Sequence, residues 1–155
     1  NEDSLYPTES GASEGPELLI VADGMGGAVA GEIASRLAVA AATQAPISDD
    51  IDPADRVLAA NDALVVATEE DRSLAGMGTT MTLVTLHEEG RAVFAHVGDS
   101  RAYLFRDGVL SQVTTDHSPV GRLLALGRTT KEARRTHPHS RPAWPRACTD
   151  NRGPH

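Results

Sequence analysis

The pattern of hydrophobic residues divides the chain into one strand, two helices and a later group of strands. Residues 18–22 carry no polar side chain, so they predict a short buried strand that Asp23 and the following glycines end. Apolar residues at helical spacing then predict a first helix. Its predicted buried face consists of Ile33, Leu37, Ala40 and Ala41. Alanine is frequent elsewhere in this helix, so we expect it to lie close to the element it packs against.

The second helix is predicted to begin at Asp52-Pro53 and to end near Arg72. Aspartate is a favoured N-cap residue, and proline fits the first turn of a helix because its missing N–H has no partner there in any case. The predicted buried face of this helix consists of Val57, Leu58, Leu64, Val65 and Thr68.

From Thr79 onward the hydrophobic residues alternate with period two, which is typical of half-buried strands. The four strands predicted from this pattern are residues 80–86, 91–97, 102–106 and 109–114. Tight turns are predicted at residues 88–90 and at Asp107-Gly108, a favoured pair for a two-residue hairpin. Short turns between successive strands predict an antiparallel meander that the helices cover on one face, and therefore an α+β fold.

Composition and charge exclude several classes of protein. The chain of 155 residues has the length of one domain and contains one cysteine, which cannot form an internal disulfide and fits a reducing, cytoplasmic location. Residues 1–126 hold 7 basic and 20 acidic residues, a charge of −13, which argues against nucleic acid as a partner. We find no apolar run of 18 residues, so we expect no membrane segment in this chain.

The chain changes character towards its end. Residues 127–155 carry a charge of +5, from 7 basic and 2 acidic residues, and residues 136–155 are rich in proline without any apolar periodicity. We expect residues 1–135 to form part of a domain and residues 136–155 to be a disordered or frameshifted tail. The first residue is asparagine, so we expect the chain to be a piece of a longer protein.

The turn after the first strand is the strongest candidate for chemistry. Asp23 and the Gly24 carbonyl offer hard oxygen ligands, which suit Mg²⁺ or Mn²⁺ better than zinc. Two other interpretations are open at this point. A dinucleotide-binding glycine turn would need a third glycine where Val29 stands, and Asp23 alone could be the N-cap of the next helix.

Four short motifs occur in order along the chain. They are Asn1-Glu2-Asp3, Asp23-Gly24-Met25-Gly26-Gly27, Gly76-Met77-Gly78-Thr79-Thr80 and His96-Val97-Gly98-Asp99-Ser100-Arg101-Ala102-Tyr103. Together with the predicted elements around them, they resemble the metal-dependent serine/threonine protein phosphatases of the PP2C (PPM) type in their bacterial form. The resemblance covers about residues 1–135. It implies a β-sandwich flanked by helices, in α-β-β-α layers, that is incomplete at the C-terminal end of this chain.

The resemblance also implies a site for Mn²⁺ or Mg²⁺, with two ions or a third as well. Carried over by motif, the metal ligands are Asp23, the Gly24 carbonyl, Asp3 and Asp99, and the catalytic candidates are Asp23 and Asp3. Asp23 would bridge two ions, and water held between them would attack the phosphorus of a phosphoserine or phosphothreonine. Thr79 and Thr80 are expected to support the sheet behind the site, and His96 is expected to be a packed histidine.

The implied site also has missing parts. We do not find the arginine that precedes the Asn-Glu-Asp motif in such phosphatases, nor two late aspartates, and Asp150-Asn151 matches one of these by residue type only. A catalytically impaired remnant and a phosphatase-like regulatory binding module are therefore alternatives to an active phosphatase. The expected partners are phosphorylated serine/threonine proteins, with a serine/threonine kinase and its substrates among them, and the expected state is a monomer.

Overall fold

The structure is a computed structural model that describes residues 1–9, 17–48, 50–87 and 90–117. The elements in chain order are β1 (Asp3–Tyr6), β2 (Glu17–Met25), α1 (Ala28–Ala42), α2 (Pro53–Glu70), a 3₁₀ turn (Arg72–Leu74), β3 (Gly78–Thr79), β4 (Met81–Leu86), β5 (Ala92–Val97), β6 (Tyr103–Arg106) and β7 (Val109–Gln112). The predicted α+β class is confirmed. Asp150-Asn151, the 136–155 tail and the predicted turn at Glu88-Glu89 lie outside the described residues.

Most strands form one antiparallel sheet in the order β1-β2-β4-β5, and β3 pairs with the end of β2. The strands β6 and β7 form a separate two-stranded sheet. The prediction of one continuous four-stranded meander is therefore wrong, because β5 and β6 are not paired. The hairpin turn at Asp107-Gly108 is confirmed, since both residues have the positive φ, 51° and 78°, that the favoured tight turns require.

The first two strands differ from their prediction. Residues 3–6 form β1 and pair with β2, and this strand is not among the elements predicted from the hydrophobic pattern. Strand β2 does not end at Asp23 but continues to Met25, because Gly24 and Met25 pair with β3. The sequence pattern missed this extension since glycine is a poor strand former, and only the pairing partner keeps the backbone extended.

Both helices lie on one face of the sheet, and the buried face of α1 is not the predicted one. Ile33 is 38% exposed, and Ala40 is exposed as well. The buried residues of α1 are instead Gly31, Ala34, Ser35, Ala38 and Ala42. The reason is distance: a β-carbon built on Gly24 of β2 would lie 2.0 Å from the Gly31 carbonyl oxygen. At that approach only small side chains fit between helix and sheet.

Helix α2 begins as predicted and buries a partly different face. Asp52 caps it by accepting a hydrogen bond from the Ala54 N–H at 2.8 Å, and Val57 and Leu64 are buried. Leu58 and Val65 are each 47% exposed, so their predicted burial is wrong. Two adjacent stripes of apolar residues run along α2, one with Val57 and Leu64 and one with Leu58 and Val65. Contact with α1 and the sheet buries the first of these stripes.

A buried charge takes one of the core positions on α2. Arg56 is 3% exposed and donates to three main-chain carbonyls, that of Ala42 at the end of α1 and those of Ala45 and Pro46 in the loop that follows. The last carbonyls of a helix have no partner within it, and a cation there also interacts favourably with the helix dipole. Burial lowers the pKa of Arg56 from its usual value, and the carbonyls compensate by solvating the guanidinium.

The opposite face of the sheet is apolar and open within the part of the chain that the structure describes. Leu5, Leu19, Val21 and Phe94 point there and are 38–54% exposed. Alternation along each strand separates this open face from the helix-covered core of Leu18, Ile20, Met81 and Leu83. Among the described helices, none is both long and apolar enough to cross a membrane.

Candidate metal centre

Two of the predicted ligands, Asp3 and Asp23, lie directly opposite each other on adjacent strands. Residue 3 of β1 is the register partner of residue 23 of β2. Directly opposed residues of an antiparallel pair point to the same face, with β-carbons about 4.5–5.5 Å apart. Both residues are exposed, and alternation along β2 places Asp23 on the open face of the sheet. The fold thus brings together two carboxylates that are 20 positions apart in the sequence.

Within the described part of the chain, burial and neighbouring carboxylates dominate the electrostatics of Asp23. The pKa of Asp23 is raised above its usual value, first by partial desolvation of the carboxylate and then by the charge and side-chain hydrogen bond of Asp3. The charges of Asp99 and Glu2 raise it further. A carboxylate with raised pKa among like charges is stabilised by a bound cation, because the cation reverses the sign of the local field.

The backbone of Asp23 is held by the two threonines that follow the Gly76-Met77-Gly78 turn. The Asp23 carbonyl accepts a hydrogen bond from Thr79 Oγ1 at 2.9 Å and another from the Thr80 N–H at 2.8 Å. The Asp23 N–H donates to Thr80 Oγ1 at 3.1 Å. Thr79 and Thr80 are 4% and 2% exposed. They lie behind the site, as the sequence predicts, and they hold Asp23 through its main chain.

Asp99 lies in the loop after β5, near Asp23 in space. Its negative charge contributes to the raised pKa of Asp23, and its own side chain is exposed. The loop is fixed on its far side by Arg101, which donates to both carboxylate oxygens of the buried Asp116 at 2.9 and 2.8 Å. The His117 N–H also donates to the Gly98 carbonyl at 2.7 Å. Sequence reasoning did not single out Asp116, whose partner is 15 residues away.

Helix packing requires a glycine at position 24, because the Gly31 carbonyl oxygen occupies the space of a β-carbon there. The Gly24 N–H donates to the Glu2 carbonyl at 3.0 Å. Glu2 was not predicted as a site residue. Its place beside Asp3 in the first motif was the available signal.

His96 is packed in the sheet, as expected. Its Nδ1 lies 2.8 Å from Thr82 Oγ1, and its ring lies 5.0 Å from that of His117, centroid to centroid, at 43°. Burial and the neighbouring His117 lower the pKa of His96, while hydrogen bonds to the main chain at Gly98 and Thr115 and the charge of Asp99 oppose that shift. A buried imidazole of this kind is neutral at pH 7.

The side chains present fit a hard divalent cation in their chemistry. Carboxylate oxygens are the ligands that Mg²⁺ and Mn²⁺ prefer, and the pKa of Asp23 is raised by burial and by the nearby carboxylates of Asp3, Asp99 and Glu2. Across residues 1–9, 17–48, 50–87 and 90–117, however, no three histidine, cysteine or acidic side chains are arranged to hold an ion. The metal-binding roles of Asp3, Asp23, Gly24 and Asp99 therefore stay predictions, for which the structure supplies two carboxylates in direct register, those of Asp3 and Asp23.

The fold and the site define a class of protein: an α+β protein with helices on one face of an antiparallel sheet and carboxylates suited to divalent cations at one end of it. The chain belongs to the protein phosphatase 2C family, whose sequence profile matches residues 1–144.

The structure also decides between the interpretations of the turn that follows Asp23. The antiparallel sheet excludes a dinucleotide-binding glycine turn. The capping alternative is also wrong, because α1 begins after Gly27 and has no side-chain cap.

Curated relatives are bacterial phosphatases that are longer than this chain. The serine/threonine protein phosphatase PstP of Mycobacterium tuberculosis is 42% identical over 146 residues, which cover 89% of this chain and 26% of PstP. The serine/threonine phosphatase Stp of Listeria monocytogenes is 38% identical over 130 residues, which cover 78% of this chain and 51% of Stp. The chain thus spans between a quarter and about half the length of these relatives.

Solved structures agree with this assignment. A crystal structure of PstP from Mycobacterium tuberculosis superimposes with a TM-score of 0.73 at 41% identity and covers 89% of this chain and 57% of that structure. The catalytic domain of PstP in complex with two manganese ions gives a TM-score of 0.72 at 42% identity, over 86% of this chain and 56% of that one. The fold is therefore a partial protein phosphatase 2C fold.

Proposed function

We propose that this chain is part of a metal-dependent phosphatase that hydrolyses phosphoserine and phosphothreonine in proteins. The observation that carries the proposal is that Asp3 and Asp23 lie directly opposite each other in a chain that belongs to the protein phosphatase 2C family. Partial desolvation and then Asp3 raise the pKa of Asp23. Its relatives are named serine/threonine phosphatases. A regulatory binding module would have no need for this carboxylate pair.

The residues of this chain would act by binding and orienting. Asp23 and Asp3 would hold two Mn²⁺ or Mg²⁺ ions, with the Gly24 carbonyl and Asp99 as further oxygen ligands. Such ions lower the pKa of bound water and stabilise charge on a phosphate group. Thr79 and Thr80 would keep the Asp23 backbone in place through their hydrogen bonds. His96, neutral and hydrogen-bonded to Thr82, would take no part in proton transfer.

Partners and location follow from the same proposal. The substrates would be proteins phosphorylated on serine or threonine, including a serine/threonine kinase and that kinase's own substrates. The protein would act in the cytoplasm as a monomer, in line with the charge of −13 over residues 1–126 and with its single cysteine.

We expect the 155-residue chain itself to be a weak phosphatase. Each ion needs about six oxygen ligands, and the described residues bring only two carboxylates into direct register.

Hydrolysis of a phosphothreonine peptide tests the proposal. The 155-residue chain, Asp23→Asn and the control Asp62→Asn would be assayed with millimolar Mn²⁺ and again with EDTA. Asp62 is an exposed aspartate on α2, away from the acidic pair. We expect low turnover that requires Mn²⁺, that Asp62→Asn retains, and that Asp23→Asn reduces at least tenfold. Equal turnover by Asp23→Asn and the parent would contradict the proposed site.

A further inference from the structure

The hydroxyl group of Thr80 lies between two acidic segments of the chain. Thr80 Oγ1 accepts a hydrogen bond from the Asp23 N–H at 3.1 Å. On its other side the same oxygen lies 2.7 Å from Ser100 Oγ, and Ser100 directly follows Asp99. Thr80 is 2% exposed. The buried Thr80 side chain therefore connects the end of β2 with the loop after β5. Asp23 lies 57 positions before Thr80 in the sequence, and Ser100 lies 20 positions after it.

Packing makes this connection tight. A β-carbon built on Gly98 would lie 2.6 Å from Thr80 Cγ2 and 2.7 Å from its Cβ, so the loop passes directly against the Thr80 side chain. Gly98 also has a φ of 110°, which other residues rarely adopt. The Arg101–Asp116 ion pair holds the far side of the loop at 2.8 Å. Loss of the hydroxyl contact would therefore remove the hydrogen bond next to Asp99 and leave the loop held by the His117 N–H at the Gly98 carbonyl and by the Arg101–Asp116 ion pair.

We propose that the Thr80 and Ser100 hydroxyls form a positioning pair that sets where Asp99 lies relative to Asp23, and thereby sets the affinity of the acidic group for a divalent cation. This inference rests on the proposed function, since it assigns the cation to that site. Asp23 and Asp99 carry like charges, which repel each other. A metal-free chain therefore needs an internal connection to keep these two carboxylates close. A buried hydroxyl pair serves this purpose because breaking it leaves polar groups without partners.

Four variants of the 155-residue chain test the proposal by calorimetric titration with Mn²⁺. Thr80→Val and Ser100→Ala each remove one hydroxyl, and Thr80→Ser keeps the hydroxyl but loses the methyl group. Thr85→Val is the matched control. Thr85 is 2% exposed like Thr80, it lies on the helix-covered side of β4, and its Oγ1 has no hydrogen-bond partner among the described residues. We expect Thr80→Val and Ser100→Ala to weaken Mn²⁺ binding about tenfold. The Mn²⁺ affinity of Thr80→Ser, the variant that keeps the hydroxyl, and that of the control Thr85→Val should stay within about twofold of the parent's.

A measurement without metal separates this proposal from the proposed function. In EDTA, the Asp23 amide should exchange its hydrogen faster in Thr80→Val than in Thr85→Val, and the amide resonances of residues 98–100 should shift in both hydroxyl-removing variants. A parent chain that binds no Mn²⁺ would contradict the proposed function. Normal Mn²⁺ binding by Thr80→Val, or unchanged amide exchange and resonances in that variant, would overturn the positioning role instead.

Discussion

At the scale of single residues, the most informative observation is that burial and neighbouring carboxylates disfavour the ionised form of Asp23. Its pKa is raised by partial desolvation and by Asp3, Asp99 and Glu2. For an acid with a raised pKa in the folded state, the associated stability is present at low pH and is lost as the pH rises through that pKa. At neutral pH, the ionised Asp23 therefore lowers the stability of the metal-free chain.

Substitution of Asp23 by asparagine should consequently have opposite effects with and without metal. In EDTA at pH 7, we expect Asp23→Asn to raise the free energy of unfolding by roughly 0.2–1 kcal/mol, the range for exposed like-charged pairs directly opposed in a sheet. With millimolar Mn²⁺ the parent should gain thermal stability and the variant should gain much less. Thermal unfolding measures both, with Asp62→Asn as the unchanged control. A lower midpoint for Asp23→Asn in EDTA would contradict the repulsion argument.

At the scale of elements, the contact between β2 and α1 decides how the site is built. Gly24 and Gly31 bring the strand and the helix so close that a β-carbon on Gly24 would overlap the Gly31 carbonyl oxygen at 2.0 Å. The reverse addition is milder, because a β-carbon on Gly31 would first meet the far end of the Glu2 side chain at 2.5 Å, and then the Gly24 carbonyl carbon at 3.1 Å. The two glycines therefore differ in what they tolerate.

Alanine substitutions should show this difference. We expect Gly24→Ala to lower the free energy of unfolding by about 3 kcal/mol or more, because rigid backbone has to move. Gly31→Ala should change it by no more than about 1 kcal/mol, since alanine favours the helix and Glu2 can turn away. Urea unfolding of the two variants provides the measurement. If both lose stability equally, the close approach of helix and strand is not as the structure has it.

At the scale of the whole molecule, stability should depend on pH through His96. Its folded pKa is lowered, chiefly by burial and then by His117. For a histidine with a depressed folded pKa, the associated stability is present above the unfolded pKa, about 6.5. It is lost as the pH falls towards the folded value. Asp99 and the Gly98 and Thr115 main chain oppose the shift without reversing it.

We therefore expect the free energy of unfolding of the parent to fall between about pH 7 and pH 5, by at most about 1.4 kcal/mol per pH unit for one proton. His96→Gln should show a smaller dependence over the same window, because it has no proton to bind. Urea unfolding at half-unit pH intervals compares the two slopes. Parallel curves for parent and variant would show that His96 does not titrate with unfolding.

The sequence by itself determined most of the helices and strands and indicated the family. Period-two alternation, helical spacing, the Asp52 cap and the Asp-Gly turn are local signals, because they depend on residues within a few positions of one another. Four motifs in order indicated the family and singled out Asp3, Asp23 and Asp99. These predictions need no knowledge of distant contacts. The two helices, the strands β2 and β4–β7, and the hairpin turn accordingly lie within a few residues of where they were expected.

Only the tertiary structure decided which faces are buried and which residues meet. Two apolar stripes fit each helix equally well, and the Gly24–Gly31 approach selected small residues over Ile33. Pairing with β3 extended β2 beyond Asp23, and pairing with β1 placed Asp3 opposite Asp23. The physical reason is common to all of these: contacts between residues far apart in sequence depend on register and packing distance, which no local pattern encodes.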